Sequence, residues 1–173
     1  MTLWLVRAGR HGEQESVALD EGLACIGHQS VASLAAADTR EKVEDLVKSA
    51  LPDAAQAKVS NATGQLHAFR NRIAEGDLVA LPLKSAPKIA FGRVTGPYRY
   101  REDLGEARHT RPVEWIATGI PRNRLRQDLL YSLGAFMTVC QIQRNDAEAR
   151  VLAVLKGMPD PGLTVTTEID EPP

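Results

Sequence analysis

The sequence has little of what enzymes, metalloproteins and disulfide scaffolds depend on. Only two of its 173 residues are cysteine. Cys25 and Cys140 each lie alone within an apolar run, so we interpret both as buried thiols. The four histidines have no metal-ligand spacing, and no nucleotide-binding glycine loop, nucleophile elbow or paired-carboxylate nuclease motif is present. We therefore expect a chain without catalytic residues, a metal site or a cofactor.

Long hydrophobic runs are also missing. No apolar segment reaches the roughly 18 residues that a membrane-spanning helix needs. With 43% hydrophobic and 25% charged residues, the chain has the composition of a globular domain with an ordinary core. We expect a cytoplasmic protein without contact to a membrane.

A net excess of charge is absent too, but the charges are unevenly distributed. The formal net charge is -1, whereas residues 84–126 hold ten Lys or Arg against four Asp or Glu. Residues 13–53 hold nine acids against three bases. A segregated positive surface suits a phosphate-bearing partner. The alternative is a solvated basic loop that binds nothing.

Hydrophobic periodicity predicts one domain of mixed helices and strands. Alternation predicts strands, and helical spacing with a capping pattern at Asp38–Glu41 predicts helices. We also read Pro121 as the first residue of a helix. The predicted strands are Leu3–Ala8, Ser16–Leu19, Leu23–Gly27, Asp77–Leu83, Ile89–Tyr98 and Pro112–Thr118, and the predicted helices cover residues 39–51, 54–73, 128–133 and 145–156. Residues 157–173 are acidic and Pro-rich, and we interpret them as a linker or tail.

Several motifs carry a resemblance to a known superfamily. IAFGRVTGP at residues 89–97, PVEWI at 112–116 and IPRNRLR at 120–126 resemble the strands and turn of YTH domains, and WLVRAG at 4–9 resembles the first strand of YTH and EVE domains. The set RAGxxGE, GDLVxLPLK, ARHxRPVEW and LGAFMTVC resembles the N-terminal domain of Mrr-type restriction endonucleases. The resemblance implies an α+β fold, with a PUA-like, curved, mostly antiparallel β-barrel flanked by helices over residues 1–156.

The resemblance also implies a function and a set of site residues. Such a domain recognises a modified base in duplex DNA, flipped into a pocket, and an endonuclease domain would follow the tail. His28 stands where those domains usually have a cage tryptophan. The residues expected at the base are Arg7, His28, Gln29, Ser30, Tyr98, Tyr100 and Trp115. The residues expected at the nucleic-acid backbone are Asn61, Gln65, Lys84, Arg99, Arg101, Arg108 and Arg122.

Other interpretations of these residues stay open. His28 has the alternative of a solvated loop histidine, and Tyr98, Tyr100 and Trp115 have the alternative of core packing. Two other functions also fit the composition. One is an RNA-binding module that uses the same pocket, and the other is a protein-interaction domain whose basic surface docks an acidic partner.

Overall fold

The structure is a computed structural model that describes residues 1–135 and 137–162. Within those residues the chain forms seven strands and five α-helices. The strands are β1 Leu3–Val6, β2 Leu23–Ile26, β3 Leu78–Pro82, β4 Lys88–Val94, β5 Arg99–Tyr100, β6 His109–Pro121 and β7 Val139–Gln141. The helices are α1 Glu15–Glu21, α2 Arg40–Ala50, α3 Gln56–His67, α4 Gln127–Ser132 and α5 Ala147–Leu155. A π-helical turn, Ala68–Arg72, continues α3.

The strands form one curled, mixed sheet that makes a half-barrel. Their order is β2–β6–β4–β3–β1–β7, and β5 pairs with the start of β6. β1 runs parallel to β3, and the other pairings are antiparallel. The sequence-based prediction of an α+β fold with a curved, mostly antiparallel sheet flanked by helices is confirmed at this level.

Much of the curl comes from β6, which changes partners along its length. Residues 109–112 pair with β2, whereas residues 113–121 pair with β4. The β4–β6 register shifts on either side of Phe91, and such irregularities bend a strand. As a result Trp4 of β1 and Ile26 of β2, whose strands lie four positions apart in the sheet, share one core.

Helices cover both faces of the sheet, as the side chains of β1 illustrate. Trp4 and Val6 pack in the core under α2 and α3. Leu3 and Leu5 pack in the core under α4 and α5. Successive residues of a strand point to opposite faces, so a strand buried on both faces has no polar positions. Burial of each large apolar side chain stabilises the fold by about 1.5–3 kcal/mol.

Two buried charged residues connect elements that are distant in sequence. Asp77, just before β3, accepts a hydrogen bond of 3.0 Å from the Trp4 indole Nε1. Arg111 of β6 donates to the carbonyl oxygens of Phe69 (2.9 Å) and Ile73 (2.7 Å) at the end of α3 and its π turn. The first bond thus fixes β1 against the segment before β3, and the Arg111 bonds fix β6 against the end of α3 and its π turn.

Two of the predicted elements are wrong. Ser16–Leu19 is not a strand but part of α1, because four alternating residues cannot distinguish a strand from one helical turn. Gly22 ends this helix with φ 68°, a conformation that glycine adopts freely. Pro121 is not the first residue of an α-helix: it ends β6 and caps a short 3-10 helix, Arg122–Arg124, and α4 begins only at Gln127.

The chain stays on the domain beyond α5. Asp160 is buried and accepts a hydrogen bond of 2.7 Å from Arg150 Nε and one of 2.8 Å from the Arg126 backbone N–H. Arg150, whose side chain is 1% exposed, also pairs with Asp128 at 2.7 Å. The predicted linker at 157–173 therefore begins within packed structure. Residues 163–173 lie outside the described residues, and the division at residue 156 stays a prediction.

Candidate nucleic-acid interface

A pocket of about 200 Å³ opens where β1 and β2 end. Gly9 follows β1, while Gly27 and His28 follow β2, and all three line the pocket. Its other lining residues are Arg10, Glu13, Gln14, Gln29, Glu106 and Thr138. We call it the His28 pocket. Of the seven residues expected at a base, it brings together only His28 and Gln29.

The backbone presents His28 in an unusual turn. His28 has φ 58°, a left-handed conformation that costs a non-glycine residue about 1 kcal/mol or more. Its carbonyl oxygen accepts a hydrogen bond from Val31 N–H at 2.9 Å, which closes the turn. The side chain is half-buried, and burial lowers the pKa of His28. The imidazole is therefore neutral at neutral pH.

His109 holds this turn from the protein interior. Its Nε2 lies 3.2 Å from the His28 carbonyl oxygen and 3.1 Å from that of Val31. Because both partners only accept, Nε2 carries the proton and Nδ1 accepts from the Tyr98 hydroxyl at 2.7 Å. Burial lowers the pKa of His109 to about 4. One neutral tautomer thus fixes the backbone on which His28 stands.

Tyr98 and Tyr100, expected at the base, do not line the His28 pocket. Tyr98 packs edge-on against Phe69, with ring centroids 6.3 Å apart, and its hydroxyl accepts from Leu34 N–H at 3.1 Å. Burial raises the pKa of Tyr98 to about 12. Tyr100 packs edge-on against His109 at 5.3 Å. Both rings support His109, so their contribution to the pocket is indirect.

Trp115 and Ser30 also lie outside the pocket lining. Trp115 is on β6, and its Nε1 donates to the Ala18 carbonyl oxygen at 2.8 Å. A Cβ at Gly92 would lie 2.9 Å from Trp115 Cε3, so the ring is packed directly on the β4 backbone. This geometry agrees with the alternative interpretation of Trp115 as a packing residue. Ser30 is exposed on the turn beyond His28.

Gln14 is a pocket residue that the sequence reasoning missed. It lines the His28 pocket and is 6% exposed, and its buried side-chain oxygen has no hydrogen-bond partner among the residues that the structure describes. Gly9, with φ 90°, leaves room for this amide, since a Cβ there would collide with Gln14 Oε1. An unsatisfied buried acceptor costs about 1–3 kcal/mol. The available signal was its position directly after the RAGxxGE motif.

Arg7 and Gln65 both hydrogen-bond to backbone groups between α4 and β7. Arg7 Nη2 donates to the carbonyl oxygens of Leu133 (3.3 Å) and Ala135 (2.9 Å). Gln65 Oε1 accepts from the backbone N–H groups of Thr138 (2.9 Å) and Val139 (3.0 Å). These bonds position the connection between α4 and β7, and with it the edge of the His28 pocket that Thr138 forms.

Arg7 also lines a second pocket, of about 390 Å³, together with Lys84 and Arg122. We call it the Arg7 pocket. Burial, and then the charge of Arg122, lower the pKa of Arg7. None of the described residues that line this pocket is Asp or Glu. Three cations without a carboxylate in the pocket lining are suited to bind an anion. A contact with the nucleic-acid backbone is the expectation for Lys84 and Arg122, whereas Arg7 is expected at the base.

The remaining basic candidates differ in how free their side chains are. Arg101 forms an ion pair of 2.7 Å with Asp103, and Arg101 holds the pKa of Asp103 down at about 2. Arg108 Nε donates to the Gly105 carbonyl oxygen at 2.7 Å. Arg99 is exposed on β5. These residues belong to the loop that reaches the His28 pocket through Glu106.

The described residues offer little that would support metal chemistry. Within residues 1–135 and 137–162, no three His, Cys, Asp or Glu side chains lie close enough to hold a metal ion. Burial raises the pKa of Cys25 to about 12, so its thiol stays protonated.

Over the same described residues, none of the helices combines the length and the apolarity needed to cross a membrane.

Comparison with known proteins places the chain in a family. A family model described as "Domain of unknown function (DUF8426)" matches residues 4–141. The match covers most of the chain, so the protein belongs to this family. It includes the His28 pocket and ends within β7. No curated protein matches the chain.

Proposed function

We propose that this chain is a nucleic-acid-binding module that recognises a modified base in duplex DNA, turned out of the helix into the His28 pocket. The observation that carries the proposal is the His28 turn, because a strained backbone held by a buried histidine commonly marks a functional site. On this proposal the half-barrel is PUA-like. The chain is then the targeting domain of a modification-dependent restriction endonuclease of Mrr type, with the nuclease domain after residue 173.

The chemistry of the pocket is compatible with a base. The neutral His28 ring can stack on a base, and base–aromatic stacking contributes about 1–3 kcal/mol. Gln14 contributes a buried side-chain amide to the wall of the same pocket. A protein that binds a flipped base must also bind the neighbouring phosphates. The Arg7 pocket, lined by Arg7, Lys84 and Arg122, is a candidate site for one of these phosphates.

A binding panel tests this function. Duplexes that carry 5-methylcytosine or N6-methyladenine are compared with the plain duplex by fluorescence anisotropy over a range of salt concentrations. We expect at least one modified duplex to bind more tightly, and we expect affinity to fall steeply with salt because counterions are released. Equal affinity across a wider panel of modifications would contradict base reading. Preference for single-stranded RNA would support an RNA-binding module instead, and no binding at low salt would support a protein-docking surface.

A further inference from the structure

A groove of about 300 Å³ lies between α3 and β7, away from the residues expected at phosphates except Asn61 and Gln65. Arg40 from the start of α2, His67 from the end of α3 and Arg72 from the π turn line it. None of the described lining residues is Asp or Glu. The groove is therefore positive without a neutralising carboxylate in its walls.

The side-chain amide oxygens of the groove are already engaged. Gln65 Oε1 accepts from the backbone of β7 and the residue before it, as described above. Asn61 Oδ1 accepts from Gln65 Nε2 at 3.2 Å. Gln141 Oε1 accepts from Arg72 Nη2 at 2.8 Å. A ligand in this groove would find few acceptors for its own N–H or O–H groups.

Arg72 Nη2 is engaged by Gln141, and the Arg72 guanidinium lies 5.2 Å from the centroid of the Trp4 ring, whereas the donors of His67 and Arg40 are available. His67 Nδ1 lies 3.0 Å from Asn71 Nδ2, which can only donate, so the His67 proton sits on Nε2. The Arg40 guanidinium makes no hydrogen bond or ion pair within the described residues, and it lies beside Gly64, 3.7 Å from where a Cβ would be. Burial, Arg40 and Arg72 all lower the pKa of His67. The repulsion among these groups would be relieved by an anion.

We propose that the groove between α3 and β7 binds a backbone phosphate of the same DNA strand that places its base in the His28 pocket. Phosphodiester oxygens only accept hydrogen bonds, which matches a wall of donors. Met137 and Val139 line the groove, while Thr138 between them lines the His28 pocket. The two sites are thus adjacent across one short stretch of chain. This inference rests on the proposed function for the identity of the ligand.

Charge-matched variants test the groove. Arg40→Gln removes one cation from it, and Lys48→Gln removes one cation from the far end of the same helix, where Lys48 pairs with Glu44. We expect Arg40→Gln to weaken binding of modified and plain duplexes alike, by roughly three- to tenfold at low salt, and to reduce the slope of log affinity against log salt by about 1. We expect a smaller effect from Lys48→Gln. Equal effects of the two variants would overturn the proposal.

Two further readouts separate this inference from the proposed function. The His67 ring resonances should shift when a duplex oligonucleotide is added to the wild type, and unchanged resonances at saturation would contradict the groove. The ratio of affinities for modified and plain duplexes should be the same in Arg40→Gln as in the wild type. The wild type could instead bind modified and plain duplexes equally, while Arg40→Gln still weakens the binding of plain DNA more than Lys48→Gln does. That result would contradict base reading and support the phosphate site.

Discussion

His109 is the residue on which the shape of the His28 pocket depends most. It is not among the lining residues of the pocket, yet its Nε2–H satisfies two carbonyl oxygens of the turn that carries His28. Its Nδ1 requires the Tyr98 hydroxyl as donor. A protonated ring would put a second N–H opposite a hydroxyl that must then reorient, in a site that water does not reach. The folded structure therefore requires a neutral His109 side chain.

This neutrality predicts a specific pH dependence of stability. In the unfolded chain His109 binds a proton below its ordinary pKa of 6.5, whereas the folded protein resists protonation until about 4. The contribution of the neutral His109 ring to the free energy of unfolding is fully present above pH 6.5. It falls by on the order of 2–3 kcal/mol as the pH is lowered to 4. Urea unfolding at pH 7, 5.5 and 4.5 would measure it.

His109→Gln is the matched variant, because an amide can donate to the carbonyls and accept from Tyr98 without titrating. The pKa values of His28 and His67 are lowered too, so part of the pH dependence should remain in this variant. We expect a clearly shallower loss of stability than in the wild type. Identical curves for the two proteins would show that His109 titrates normally in the fold.

Sequence reasoning identified some pocket residues but not their partners. His28 and Gln29 could be placed by resemblance, since the motif positions fall at the end of a strand. The roles of Arg7 and Gln65 could not, because their partners in the fold are backbone groups near residues 133–139, which no spacing in the sequence relates to them. Gln14 was missed because a lone glutamine has no pattern. The roles of Arg7 and Gln65 thus depend on contacts between segments that are far apart in the sequence.

At the scale of elements, local signals predicted the helices better than the irregular segments. Thr39 caps α2 by accepting from Lys42 N–H at 3.2 Å, so the cap lies one residue after Asp38, where the predicted capping box begins. α2, α3 with its π turn and α5 were all predicted within a few residues. The predicted strand at 112–118 is three residues too short at each end, because residues 109–111 pair with β2 and the stretch that includes Gly119 and Pro121 pairs with β4. Pairing, rather than propensity, extends that strand.

Gly64 in α3 gives an element-scale prediction. Its backbone is helical, and a Cβ there would meet only the Arg40 guanidinium at an ordinary contact distance of 3.7 Å. Gly64→Ala should therefore raise the free energy of unfolding by about 0.5–1 kcal/mol, since alanine loses less backbone entropy in a helix. Chemical denaturation would measure the change.

Gly9→Ala is the counterpart of that substitution. Gly9 has φ 90°, and a Cβ there would collide with Gln14 Oε1. The same exchange should destabilise the protein by about 1 kcal/mol or more, because alanine rarely adopts this conformation. A stabilising Gly9→Ala would show that the Gln14 amide is not packed as described.

At the scale of the whole molecule, the ion pairs of Arg150 define how far the folded unit extends. Arg150 is buried between Asp128 on α4 and Asp160 beyond α5, and the pKa of Asp160 lies at about 2 because Arg150 stabilises its charged form. Removing one partner of a buried ion pair typically costs several kcal/mol. Packing thus continues past the residue at which composition alone suggested a linker.

Two truncations test this boundary. A chain that ends at residue 162 keeps Asp160, whereas one that ends at residue 156 leaves the Arg150 guanidinium with the Asp128 carboxylate and the Asn145 carbonyl oxygen. We expect the chain that ends at residue 156 to be less stable than the chain that ends at residue 162 by about 3 kcal/mol. Thermal unfolding at pH 7 would compare them. Equal melting temperatures for both truncations would place the boundary at residue 156, as the sequence suggested.

The most direct test of the central claim, that His28 receives a modified base, is a comparison of affinities in one pair of variants. His28→Ala removes the ring at the pocket, and His11→Ala makes the same change on an exposed histidine of the neighbouring loop. We expect His28→Ala to lose most of the preference for the modified duplex, by roughly the factor of five or more that about 1 kcal/mol of stacking provides, while plain-duplex binding and the His11→Ala protein stay unchanged. A His28→Ala protein that retains the full preference would show that His28 does not receive the modified base.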